Sequence, residues 1–138
     1  MKNSIYVIIL FFVCLNINGQ SVESLSDSAA IKAAEIWLVN IDKGDYSKSW
    51  EDSAILFRKS VTKDQWKNAV NTVIEPLGEL VKREMKSNKY SEQLPGGPDG
   101  KYSTVEFNSS FKNKKESIET VILMLEDNEW KVIGYFIK

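Results

Sequence analysis

Two ionisable residues stand out by the company they keep. Glu119 shares the odd-numbered face of the run 117–125 with Val121, Leu123 and Leu125. Arg83 shares a face with Val81 and Met85 in the alternating stretch 79–85. A strand shows alternate side chains to opposite faces, so each charge sits on an apolar side. A carboxylate at the edge of a core needs a partner or a raised pKa. Arg83 is the natural partner. Such a pair can bind a ligand or move a proton inside a pocket, or it can fix strand register as an internal ion pair. The second reading is preferred, because ion-pair networks without catalysis are common.

Further candidates have plainer readings beside them. Asp42, Asp45, Tyr46 and Trp50 cluster at one helix junction and could rim a pocket. Equally, Asp45 can cap a helix while Tyr46 and Trp50 pack on a sheet. Asp99 lies in the loop 94–100, where one carboxylate among carbonyls makes a poor calcium site and a good turn. Tyr102, Trp130 and Tyr135 could line a ligand groove, but as alternating strand aromatics they suit cross-strand packing.

Much chemistry has no residues to perform it. The chain has no histidine, which removes the commonest general base, proton shuttle and metal ligand together. Its single cysteine is Cys14. No phosphate loop, metal cluster or nucleophile motif is present, so no cofactor and no metal are expected. Net charge is -1, which gives no reason to expect nucleic acid as a partner.

The 138 residues suffice for one domain, and 43% hydrophobic with 27% charged residues is a globular composition. Residues 1–19 have the layout of a signal peptide. Lys2 leads, residues 5–15 form an apolar core shorter than the roughly 20 residues of a membrane span, and cleavage is expected after Gly19. A lipoprotein reading of Cys14 is disfavoured, because bulky Phe11, Phe12 and Val13 precede it. The mature chain from Gln20 is therefore expected to be periplasmic or extracellular, without a membrane span.

Elements must then position the charged pair. Apolar residues Ala30, Ala33, Ala34, Trp37, Leu38 and Ile41 make one stripe on a helix from Ala29 to Lys43, capped by Asp27 or Ser28 and stopped by Gly44. Tyr46, Trp50, Ala54 and Phe57 predict a second helix ending near Arg58. Thr62 and Gln65 form a capping box before Trp66, Ala69, Val70 and Val73, and Pro76 ends that third helix. Strands follow over 79–89, 102–111, 117–125 and 130–137, the last two joined by a hairpin turn at Asp127-Asn128. Three N-terminal helices packed on a curved, four-stranded antiparallel meander give an α+β fold, the cone of cystatin-like and nuclear-transport-factor-like proteins.

Both late strands read as apolar on two faces. Ile118, Ile122 and Met124 point opposite to Val121 and Leu123, and Trp130 and Val132 oppose Ile133 and Tyr135 in parity. Helices cover one face only, so Ile118, Ile122 and Met124 are expected to meet a second copy in a homodimer unless curvature hides them.

The pieces also resemble a known family. Trp37-Leu38 with Asp42-Lys43-Gly44-Asp45-Tyr46-Ser47-Lys48-Ser49-Trp50 is similar to the opening signature of a bacterial secreted family, the domain-of-unknown-function family numbered 4019. Trp66, Pro76-Leu77-Gly78, Arg83, the loop 94–100 with Tyr102, Phe107, Phe111, Glu119-Thr120, and Trp130 with Gly134-Tyr135-Phe136 continue the resemblance over residues 28–138. The family pattern has a basic residue shortly before Pro-Leu-Gly, where this chain has Val73-Ile74-Glu75. The resemblance implies fold and export and transfers no mechanism. The function expected is a non-enzymatic exported binding or interaction module. The alternative is a cone-pocket enzyme using Glu119 or an Asp with Tyr and Arg, and a third reading is an envelope inhibitor or assembly factor.

Overall fold

The computed structural model describes residues 20–138, with side chains described from Ser26 onward. The expected leader, its cleavage point and Cys14 lie outside the described residues. Four helices come first: α1 (Gln20–Asp42), α2 (Tyr46–Glu51), α3 (Ile55–Ser60) and α4 (Lys63–Ile74). A 3-10 turn (Glu75–Leu77) leads to strands β1 (Leu80–Ser91), β2 (Tyr102–Phe111), β3 (Lys114–Glu126) and β4 (Glu129–Ile137). The strands pair antiparallel in the order β1-β2-β3-β4, an open meander. No described helix is long and apolar enough to cross a membrane.

Helix α1 lies across the inner sheet face. Ala30, Ala34, Trp37, Leu38 and Ile41 are buried as the stripe requires, the last four in one core with Val105, Phe107, Val121, Leu123 and Val132. The helix begins at Gln20, so Asp27 and Ser28 lie inside it rather than capping it. No Gly or Pro interrupts residues 20–42, and the polar lead-in simply continues the helix. At the other end the Gly44 N–H bonds the Ile41 carbonyl and the Asp45 N–H that of Asn40, with Gly44 at φ +73°. This paired closure needs a left-handed residue, which glycine supplies without strain.

The expected second helix is two helices, and tryptophan chemistry explains the break. Trp37 donates its indole N–H to the Ser49 carbonyl at 2.9 Å and to Ser53 Oγ at 3.2 Å. Ser53 Oγ donates to the same Ser49 carbonyl at 2.7 Å. Side chains thus occupy the acceptor that the Ser53 N–H would use to continue α2. That N–H turns to the Trp50 carbonyl instead. Ala54 becomes extended, and its N–H reaches across to the Val132 carbonyl of β4 at 2.9 Å. Trp66 completes the knot, donating to Ser49 Oγ at 2.9 Å.

The capping box of α4 is present: Thr62 Oγ1 accepts from the Gln65 N–H and Gln65 Oε1 from the Thr62 N–H. Trp66 and Val70 are buried, while Ala69 and Val73 from the same expected stripe stay exposed.

Bulges overturn two expectations about the sheet. On β4, Ile122 faces Gly134 and Leu123 faces Val132, so Ile133 is an extra residue. It flips the parity of the strand. Trp130, Val132, Tyr135 and Ile137 all oppose inner-face residues of β3, and β4 is not apolar on both sides. On β1, Val81 and Lys86 are the extra residues. Val81 and Met85 stay exposed and only Arg83 reaches inward, so the expected apolar face around Arg83 does not form. On the outer face Ile118, Ile122 and Met124 are half-buried. The Asp127-Asn128 hairpin has both residues at positive φ, as a tight two-residue turn demands.

Ser49 is fully buried and serves as acceptor for Trp66. Ser49→Ala leaves that indole N–H without a partner. Urea denaturation should show a loss of about 1–3 kcal/mol. A change within experimental error would mean that the knot does not organise the helical layer.

Candidate functional site

All four strands meet at one carboxylate. Glu119 on β3 is completely buried. Arg83 of β1 reaches across β2 to it, with Nε to Oε1 at 2.7 Å and Nη2 to Oε2 at 3.0 Å. Ser109 of β2 donates its hydroxyl to Oε1. Tyr135 of β4 donates its hydroxyl to Oε2 at 2.6 Å. Antiparallel register brings these donors in: Arg83 lies opposite Ser109, Phe107 opposite Glu119, and Val121, two residues on from Glu119, opposite Tyr135. The pairing expected from the sequence is therefore present, as a two-toothed fork.

Arg83 holds a second carboxylate. Nη1 and Nη2 meet Asp42 at the end of α1, at 2.8 and 2.9 Å. The sequence grouped Asp42 with Tyr46 and Trp50; it shares a cleft with Tyr46, and its bond to Arg83 was not expected. One signal could have found it: an acidic residue in the last turn of a helix opposes the helix dipole and calls for a cation elsewhere. Ser109 carried a similar signal, as a hydroxyl between Phe107 and Phe111 on the buried face of β2.

Electrostatics follow from burial and partners. Burial alone would lower the pKa of Arg83, but hydrogen bonds and charge from Asp42 and Glu119 outweigh it and hold the guanidinium above its ordinary value. Burial raises the pKa of Tyr135, and the neighbouring Glu119 raises it further. Both groups are held in their protonated forms. Glu119 accepts four hydrogen bonds, two at each oxygen, so this carboxylate presents no free base to a substrate.

The remaining sequence candidates make no hydrogen bond to it. Tyr46 opens α2 and, with Asp42 and Glu75, lines a cleft of about 340 Å³ beside the network. Burial, then Glu75, raises its pKa. Asp45 caps α2 by accepting from the Lys48 N–H. Trp50 donates to the Val61 carbonyl at 2.8 Å and lies under Arg58 and Lys63. Asp99 is exposed in its loop. Tyr102 is buried on the other side of β2, donating to the Pro98 carbonyl. Its hydroxyl sits where a side chain on Gly97 would come within 3.3 Å. Open clefts elsewhere include one of about 610 Å³ on the polar end of the sheet and one of about 230 Å³ between α4 and β4. Glu119 lines none of the three. Among the described residues no group of three His, Cys, Asp or Glu could hold a metal ion.

A raised Tyr135 pKa has a definite sign for stability. Its contribution is complete below the ordinary value of 10.0 and is lost as pH rises from there towards the folded pKa. Stability of the wild type should fall as pH rises above 10, and Tyr135→Phe should flatten that fall. Parallel profiles for the two proteins would show that Tyr135 is not held in the network.

The chain can now be set beside known proteins. In structure it is similar to a Campylobacter jejuni protein named, provisionally, an NTF2-like transpeptidase, with a TM-score of 0.51 and 13% identity over 80% of this chain and 95% of that one. That likeness establishes the NTF2-like fold and nothing of activity. No curated protein matches the chain in sequence. The family model described as protein of unknown function (DUF4019) matches residues 33–135. That span holds the Trp37–Ser49–Trp66 knot and every member of the Glu119 network, and the chain belongs to the DUF4019 family.

Proposed function

We propose that this domain is an exported interaction module that works through its surface, not an enzyme with an interior pocket. One observation carries the reading: the fully buried carboxylate is saturated by Arg83, Ser109 and Tyr135. A general base must offer a lone pair to substrate within hydrogen-bond reach. Here each Glu119 oxygen already accepts from two donors. The name of the Campylobacter jejuni neighbour adds no contrary weight, since 13% identity carries fold alone. Transpeptidation by the usual route also needs an activated nucleophile. This chain has no histidine to act as base, and its one cysteine precedes the expected cleavage point.

Export rests on the leader, residues 1–19, with its single basic residue, short apolar core and small residues before Gln20. The half-buried outer-face residues Ile118, Ile122 and Met124 remain one candidate surface for a second copy.

A single preparation tests both parts. The full chain is expressed in a Gram-negative host, recovered from the periplasm, weighed intact, and treated with a carbodiimide and an amine. The mass should begin at Gln20. Exposed carboxylates such as Glu79 and Glu116 should label rapidly, and Glu119 only through global unfolding. A Glu119 that labels as fast as they do, with the fold intact, would return the reading to a pocket enzyme. An unprocessed chain in the cytoplasm would sink export.

A further inference from the structure

Strand β4 is an edge of the sheet, and the direction of its backbone groups can be followed residue by residue. Ile118 and Lys138 exchange both backbone hydrogen bonds, at 2.8 and 3.1 Å. Such pairs recur at every second residue of an antiparallel ladder. Phe136 and Gly134, in register with Thr120 and Ile122, therefore aim their N–H and C=O groups at β3. Tyr135 and Ile137 aim theirs away from the sheet. Upstream, the outward carbonyl of Val132 is occupied by the Ala54 N–H. Among the described residues nothing does the same for Tyr135 or Ile137.

Both flanks of this open segment are apolar. Phe136 is 60% exposed on the outer face. On the inner side, exposed Ala69 and Val73 of α4 border the groove that runs along Tyr135–Ile137. The opposite edge is built differently. β1 carries Lys82, Glu84, Lys86 and Lys89 and two bulges, devices that keep an edge from pairing. From Val132 to Ile137, β4 has neither charge nor proline. An uncharged, unpaired, aromatic edge is a template for another strand.

We propose that this edge is a homodimer seam, in which residues 135–137 of two copies pair antiparallel about a two-fold axis at Phe136. The proposal rests on the reading that the domain works through its surface. The register is self-complementary. Tyr135 of each copy faces Ile137 of the other, so every outward group of both residues is satisfied. Lys138 of each copy faces Gly134 of the other, and no like charges meet. Phe136 faces its own equivalent in a non-hydrogen-bonded pair, where side chains approach most closely. A foreign strand has less to gain. The Ala54–Val132 bond closes the ladder upstream, so a longer strand makes no more backbone bonds than a second copy. The second copy already brings the phenyl ring that covers Phe136.

The test uses the chain from Gln20, which contains every described residue and no cysteine. Sedimentation should show a wild-type dimer and a Phe136→Glu monomer with an unchanged circular dichroism spectrum. The substitution places two carboxylates face to face and should weaken association by at least about tenfold. Phe136→Cys should form a disulfide-linked dimer under mild oxidation, because facing Cα atoms in such a pair lie about 4.5 Å apart, within the disulfide range. A Met85→Cys control on the other edge should not. The cysteine variant decides the matter if Phe136→Glu fails to fold. A wild type still monomeric at about 1 mM overturns the seam. So does a dimer linked by Met124→Cys in place of Phe136→Cys, which would move the interface to the outer sheet face. Neither outcome touches the carboxylate-labelling result, so the seam can fail while the surface reading stands.

Discussion

A carboxylate with no access to water must find its hydrogen-bond donors inside the protein, and the sheet is arranged around that need. Glu119 draws on β1 through Arg83, on β2 through Ser109 and on β4 through Tyr135. Arg83 extends the connection to α1 through Asp42. A one-residue slip between any two strands would carry a donor to the opposite face and cost Glu119 at least one of its hydrogen bonds. Buried ion pairs add little net stability against apolar replacements of the same volume. Their attested use is in fixing register, and a network that spans every strand is suited to it.

The helical layer obeys a related rule with neutral groups. Three indole N–H groups are buried or half-buried, and each has an acceptor: Ser49 and Ser53 for Trp37, Ser49 Oγ for Trp66, and the Val61 carbonyl for Trp50. Meeting those demands breaks one amphipathic helix into α2 and α3. The broken end then binds Val132 and covers the first half of the β4 edge. The second half stays open, so the same packing that closes the core also decides where an edge is left. Tyr135 joins the two regions: its hydroxyl is held by Glu119 and its ring packs on Trp37, while its backbone faces outward.

Much of this was legible in the residues. The α1 stripe, the Thr62–Gln65 box, the Asp127-Asn128 turn and the order of four strands all follow from spacing. The Arg83–Glu119 pair could be expected because a charge on an apolar face requires a partner. Three features were not legible. Bulges at Val81, Lys86 and Ile133 shift parity by one, and no residue type announces a bulge in a strand of mixed composition. The split of α2 from α3 depends on an indole twelve residues upstream of the carbonyl it takes. Asp42 is recruited across the fold, and its sequence neighbours point elsewhere. Each case is a tertiary contact overriding a local pattern.

The central claim is that Arg83 and Glu119 act as one structural unit. A double-mutant cycle of Arg83→Met and Glu119→Gln, read by denaturant unfolding, tests it most directly. Arg83→Met alone should cost about 3–5 kcal/mol, because it strands a buried carboxylate. The double variant should cost clearly less than the sum of the two single changes, leaving a coupling of at least about 1 kcal/mol. Additive costs would contradict the account, and would mean that the strands hold their register without this pair.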